Sequence, residues 1–114
     1  MNSVLVLVFL GQIITTTYRS VPAQTDSSPF YTSTGEHVCK DGIAVSQDLL
    51  LSGKVKYGDW VYIEGIGLKK VNDCMNPRHH KRMDIWVGTY REEKEFDKKY
   101  GHIKLKVWLV KEKL

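Results

Sequence analysis

The sequence contains little that would support metal or cofactor chemistry. It has only two cysteines, Cys39 and Cys74, and the paired histidines His79 and His80 lack the spacing of a zinc finger or a zinc protease. Glycine-rich phosphate-binding motifs and the nucleophile motif GxSxG are also absent. We therefore expect no metal and no cofactor.

No apolar run is long enough to cross a membrane. The longest, Val4–Leu10, falls well short of the roughly 20 apolar residues that a spanning helix needs. It fits the hydrophobic region of a secretory signal, and Val21-Pro22-Ala23 supplies small residues for cleavage before Gln24. We predict a signal peptide over residues 1–23 and an exported protein that is periplasmic, cell-wall-associated or secreted. The alternative is that this run forms a buried first strand.

The composition is that of one small globular domain. The chain has 114 residues, of which 42% are hydrophobic, and a formal net charge of +4. Such a charge favours loose attraction to anionic polymers. Outside Arg78–Arg82 the basic residues form no dense cluster, which argues against nucleic-acid binding. In an oxidising compartment Cys39 and Cys74 could form a disulfide, adding about 2–4 kcal/mol of stability; the alternative is two free thiols.

Local patterns predict a mainly β domain. Short runs rich in β-branched and aromatic residues indicate the strands Ile43–Ser46, Trp60–Ile63, Leu68–Asn72, Met83–Val87 and Ile103–Val110. Ser46 begins a single helical turn, and Thr89 and Glu92 form the capping box of a helix that ends near Tyr100. Residues 24–36 are rich in Ser, Thr and Pro and predict a linker. We expect a compact barrel over residues 37–114.

Three acids lie beside these predicted strands. Asp48 and Asp73 follow strands, whereas Asp84 lies inside one between apolar neighbours. An acid in such a place can be partly desolvated, which suits a general acid. Each also has a structural alternative: Asp48 could stabilise the start of a short helix, and Asp73 could open a turn.

Several segments, in this order and spacing, resemble the 3D (three-aspartate) domain family. They are Gly42–Leu50 (GIAVSQDLL), Tyr57–Gly65 (YGDWVYIEG), Val71–Asn76 (VNDCMN), Arg82–Trp86 (RMDIW) and the closing strand Lys104–Val110. The resemblance covers roughly residues 30–110. It implies a six-stranded double-psi β-barrel with one or two short helices, the fold of the catalytic domain of membrane-bound lytic transglycosylase A.

The resemblance also implies an activity. It assigns Asp84 as the general acid and base and Asp73 as its neighbour in cleavage of the bond between N-acetylmuramic acid and N-acetylglucosamine in peptidoglycan. Asp48 would be a third acid. The resemblance also implies that Trp86, Arg82 and Asn76 contact the substrate.

We therefore expect a monomeric enzyme of the lytic transglycosylase type that binds peptidoglycan strands and no nucleic acid. We also expect Asp73 and Asp84 to lie on adjacent strand ends facing one groove. The alternative function is a non-catalytic barrel that binds a cell-wall glycan or a protein.

Overall fold

The six strands of the chain close into a mixed β-barrel. The structure, a computed structural model, describes residues 4–20, 30–101 and 103–113. The strands are β1 (Val4–Tyr18), β2 (Gly42–Val45), β3 (Trp60–Ile63), β4 (Gly67–Cys74), β5 (Arg82–Trp86) and β6 (Lys104–Lys113), in the order β1-β5-β2-β4-β3-β6 around the barrel. The helices are α1 (Gln47–Leu51) and α2 (Tyr90–Lys99). The predicted mainly β, six-stranded barrel with one or two short helices is confirmed.

Buried and exposed residues alternate along several strands, so one face of such a strand lines the barrel interior and the other forms the outer wall. In β6, Leu105, Val107 and Leu109 are buried, whereas Lys104 and Lys106 are exposed and Trp108 is half-buried, as the alternating sequence predicts. The interior is filled mainly by aliphatic side chains from all six strands, among them Ile13, Ile43, Val61, Val71, Met83 and Val107, each fully buried. This packing holds the barrel closed.

Strand β1 occupies most of the segment predicted to be a signal peptide. Its residues 4–14 pair antiparallel with β6, and residues 14–18 pair parallel with β5. This arrangement corresponds to the alternative of a first strand, and the barrel therefore begins before residue 37. The cleavage site at Val21-Pro22-Ala23 and residues 24–29 of the predicted linker lie outside the described residues.

The described part of the predicted linker packs against β4. The Thr34 amide donates to the carbonyl of Asn72 at 3.4 Å. Just after the predicted linker, the carbonyl of Asp41 accepts from the Lys70 amide at 2.6 Å. Thr32 is only 8% exposed. Residues 30–41 thus form a covering segment along the outer wall, between β1 and β2 in the chain.

Both helices begin where the sequence predicts. The Thr89 hydroxyl accepts a hydrogen bond from the Glu92 amide at 3.1 Å, the capping-box contact that starts α2. Ser46 is the N-cap residue of α1, but its hydroxyl does not cap the helix. That hydroxyl accepts from the Arg82 amide instead, at 3.0 Å, and so joins the start of α1 to β5. Neither helix in the described part of the chain is long and apolar enough to cross a membrane.

Candidate active site

Two of the three predicted acids lie in one row across the barrel wall. In the pairing of the strands, Ala44 of β2 is the Cα partner of Asp73 on one side and of Asp84 on the other. Asp84 is in turn the partner of Thr16 of β1. The expectation of adjacent strands is wrong, because β2 lies between β4 and β5. At the usual strand spacing, the Cα atoms of the two aspartates are about 10 Å apart.

The row lies on the outer wall, beneath a small apolar cluster. Ala44 points away from the interior that its neighbours Ile43 and Val45 fill, and it packs with Tyr18 and Met75. Trp86 packs against the same cluster, and its indole N–H donates to the Ser20 hydroxyl at 2.9 Å. Both aspartates are half-buried beside this cluster.

Donors from three parts of the chain hold the carboxylate of Asp73. Its Oδ1 accepts from the Ser33 amide at 3.1 Å, the Ser33 hydroxyl at 2.6 Å and the Cys74 amide at 2.9 Å. Its Oδ2 accepts from the Tyr18 hydroxyl at 3.2 Å. With both oxygens engaged, this carboxylate has a fixed orientation and presents a fixed negative charge when ionised.

Asp84 has a different set of neighbours. Its Oδ1 accepts a hydrogen bond of 2.6 Å from the hydroxyl of Thr16, which is only 8% exposed. Arg82 and Trp86 are two residues away on either side along β5, so they share its outward face. The predicted substrate-binding residues Arg82 and Trp86 therefore do lie beside Asp84.

Tyr18 is a site residue that the sequence does not reveal. Its side chain is 7% exposed, and burial raises its pKa far above the usual range. The negative charge of Asp73, its hydrogen bond with Asp73 and the charge of Asp84 raise that pKa further. Tyr18 therefore remains a neutral donor at physiological pH. The sequence hides it because the residue falls within the predicted signal peptide.

The cysteines are free thiols in this structure, and the disulfide considered from the sequence is not formed. Cys39 is exposed, whereas Cys74 is half-buried beside Asp73. The Cys74 thiol lies 3.3 Å from the Ser33 hydroxyl, a polar contact in place of a sulfur–sulfur bond. Burial and interaction with Cys74 raise the pKa of neighbouring Tyr57 to about 12.

Asp48 and Asn76 organise the loop between β4 and β5, and their described contacts do not reach the row of acids. The Lys81 amide donates to Asp48 Oδ2 at 3.0 Å. Burial raises the pKa of Asp48, but the hydrogen bonds that its carboxylate accepts outweigh burial and bring the pKa below its usual value. Asn76 Oδ1 accepts from the Arg78 amide at 3.0 Å, which closes a turn.

The described residues contain no cluster of three or more His, Cys, Asp or Glu side chains that could hold a metal ion.

Comparison with other proteins adds no assignment. No protein-family model matches the chain, and no curated protein matches it.

Proposed function

We propose that this protein cleaves the glycan strands of peptidoglycan between N-acetylmuramic acid and N-acetylglucosamine, as a 3D-domain enzyme of the lytic transglycosylase type. The observation that supports this most is the pairing of Asp73 and Asp84 with the same residue, Ala44, on the outer wall. On that face one carboxylate can carry the proton transfers while the other stabilises positive charge at C1. Neither lies in the sealed interior.

Asp84 carries the proton transfers in this proposal. Protonated Asp84 donates its proton to the glycosidic oxygen as the bond from that oxygen to C1 of N-acetylmuramic acid breaks. The resulting carboxylate accepts the proton of the C6 hydroxyl while O6 forms a bond to C1, which gives a 1,6-anhydro ring. The residue ends protonated again, so the cycle needs no water and no co-reactant. Thr16 orients the carboxyl group through its 2.6 Å hydrogen bond.

Asp73 supplies a fixed charge. The positive charge that develops at C1 is stabilised by a carboxylate that cannot reorient, and the four hydrogen bonds from Ser33, Cys74 and Tyr18 hold Asp73 in that way. This division of roles agrees with the contacts of the two acids, since Asp73 already accepts at both oxygens.

Digestion of purified peptidoglycan tests the proposal. The full chain is incubated with sacculi, and the soluble fragments are identified by mass spectrometry. Fragments that end in 1,6-anhydro-N-acetylmuramic acid, 18 Da lighter than hydrolysed ends, are the expected product. Reducing ends would instead indicate hydrolysis, and the absence of soluble fragments at any enzyme concentration would contradict the cleavage reaction.

One observation favours the alternative of a non-catalytic binding barrel. The chain itself donates four hydrogen bonds to Asp73, which is also what a purely structural aspartate would show. In that case the protein would sediment with sacculi and release nothing from them. A co-sedimentation assay run beside the digestion separates the two functions.

A further inference from the structure

The loop between β4 and β5 brings two arginines against one histidine. Arg78 Nε lies 3.4 Å from Nε2 of His79, and Arg82 Nη1 lies 3.2 Å from Nδ1 of the same ring. A guanidinium group has only donors, and a neutral imidazole has one acceptor nitrogen. At most one of the two contacts can therefore be a hydrogen bond, and the other sets two N–H groups against each other.

No ion pair among the described residues includes an arginine of this cluster. The four ion pairs in the described part of the chain join glutamates to Arg19, Lys40, Lys70 and Arg91. Asp48, which lies near His80, receives the Lys81 amide instead. The Arg82 Nε atom is buried and has no hydrogen-bond partner among the described residues. Burial and the charges of Arg82, Arg78 and His80 lower the pKa of His79.

The cluster is held in place before any ligand arrives. The Asn76 side chain accepts from the Arg78 amide, and the Asn76 carbonyl accepts from the His79 amide at 3.0 Å. At the other end of the loop, Lys81 has a positive φ of 50° and its amide is fixed by Asp48. Because the loop is anchored at both ends, binding there would cost little ordering of the backbone.

The cluster lies next to the proposed reaction centre. Arg82 precedes Asp84 by two residues on β5, so their Cα atoms are about 7 Å apart and their side chains share a face. One substrate can therefore contact both. Both guanidinium groups contact one imidazole ring, at its two different nitrogens, so two positive charges lie within a single short loop. A nucleic acid strand would instead need several positive groups spaced along its backbone.

We propose that Arg78, His79 and Arg82 form a carboxylate-binding subsite beside Asp84, which takes a carboxylate carried by the sugar or by its peptide substituent. An anion that accepts from one of the guanidinium groups would draw that donor away from the ring and relieve the donor–donor contact at His79, and a single arginine can donate two hydrogen bonds to one carboxylate. The choice of a carboxylate on a cell-wall sugar rests on the proposed function.

Binding of uncleavable sugars tests the subsite without reference to catalysis. The ring signals of His79 in the full chain are followed by NMR during titration with N-acetylmuramic acid, which carries a free lactyl carboxylate, and with N-acetylglucosamine, which lacks it. The first sugar should shift the His79 signals in a saturable way, and the second should not. Muramyl dipeptide, whose carboxylate is on the peptide, shows which source binds more tightly.

Single substitutions test which residues of the loop bind the sugar. Arg82→Gln and Arg78→Gln should each weaken binding of N-acetylmuramic acid about tenfold, as expected for loss of a hydrogen bond to a charged group. Arg91→Gln serves as the matched control, because Arg91 lies on α2 and pairs with Glu95. His80→Gln should leave the binding constant unchanged. Arg78 is exposed, so its substitution remains informative even if Arg82→Gln disturbs the fold.

Three results would overturn the subsite. They are an equal response to both sugars, binding that neither arginine substitution weakens, and tighter binding of a short single-stranded oligonucleotide than of any of these sugars. The probes contain no bond for the enzyme to cleave. If His79 discriminates between the sugars while sacculi remain intact, the subsite stands and the proposed cleavage fails.

Discussion

The Tyr18 hydroxyl donates a hydrogen bond to Asp73 across 3.2 Å, although the strands of these residues are separated by two others in the barrel. The contact ties β1 to the far side of the candidate site. Together with the Thr16–Asp84 hydrogen bond, it means that β1 contacts both acids. The first strand is therefore part of the site as well as part of the barrel.

This dependence predicts the effect of removing residues 1–23. A chain that begins at Gln24 lacks β1, so β5 and β6 lose a pairing partner and the interior loses Ile13. We expect this chain to lack the cooperative thermal unfolding and dispersed amide NMR spectrum of the full chain. Deletion of residues 1–3 alone is the control.

Export of the protein stays a prediction, and it depends on whether a chain that begins at Gln24 is ever produced. N-terminal sequencing of the protein recovered from a secreting host would show whether cleavage occurs before Gln24. A folded, active protein that begins there would contradict the role assigned to β1.

Substitution of the proposed proton donor should abolish cleavage. Asp84→Asn keeps the size of the side chain and removes its acid–base chemistry, so release of soluble fragments should fall by about 10²- to 10⁴-fold. Asp97→Asn, on the exposed surface of α2, is the matched control and should keep full activity. The melting temperatures of both variants should stay close to that of the unsubstituted protein. Wild-type activity in Asp84→Asn would rule out its catalytic role.

Tyr18 should make the protein sensitive to alkaline pH. Its folded-state pKa lies above the unfolded value of about 10, so its contribution to stability is complete below that pH and is lost as pH rises further. We expect the melting temperature of the protein to fall steeply above about pH 10, and the slope to be shallower in Tyr18→Phe. At neutral pH, loss of the hydrogen bond to Asp73 should cost about 1–2 kcal/mol. Tyr90→Phe, at an exposed position, provides the control.

The two thiols should react separately with a thiol reagent. Cys39 is exposed and should react at once, whereas Cys74 is half-buried against Ser33 and should react more slowly. Titration of the native protein without reductant should therefore show two phases of one thiol each. Cys39→Ser should retain only the slow phase. If thiols appeared only after reduction, a disulfide would be present after all.

Most strands and helices of the barrel could be predicted because the sequence patterns that indicate them are local. Alternation in β6, aromatic and β-branched residues in β3, and the Thr89 capping box each need only a few neighbouring residues to be recognised. Strand β1 was only the alternative prediction, because its apolar half has the composition of a signal peptide. Much of that half is exposed in the structure, with Leu5 at 68% and Phe9 at 54%, so no alternation marks it as a strand.

The acids of the site could be predicted, but their partners could not. Asp73 and Asp84 stand out beside apolar strands, yet the residues that hold them come from distant positions. Thr16 is 68 residues from Asp84, and Ser33 is 40 residues from Asp73. The local sequence around these hydroxyls does not indicate such contacts. Strand pairing brings Thr16 to Asp84, and the covering segment brings Ser33 to Asp73.

The position of β1 between β5 and β6 also affects how the protein is made. Of the six strands, the ribosome produces β1 before the others, whereas its two neighbours, β5 and β6, are produced last. The apolar residues of β1 therefore have no strand to pair with until β5 and β6 have been synthesised. During that time they are exposed to chaperones and to other nascent chains. Closure of the barrel depends on contacts between distant parts of the chain, which form slowly. We expect the protein to complete its folding only after β6 has emerged, and its yield to depend on what protects β1 until then.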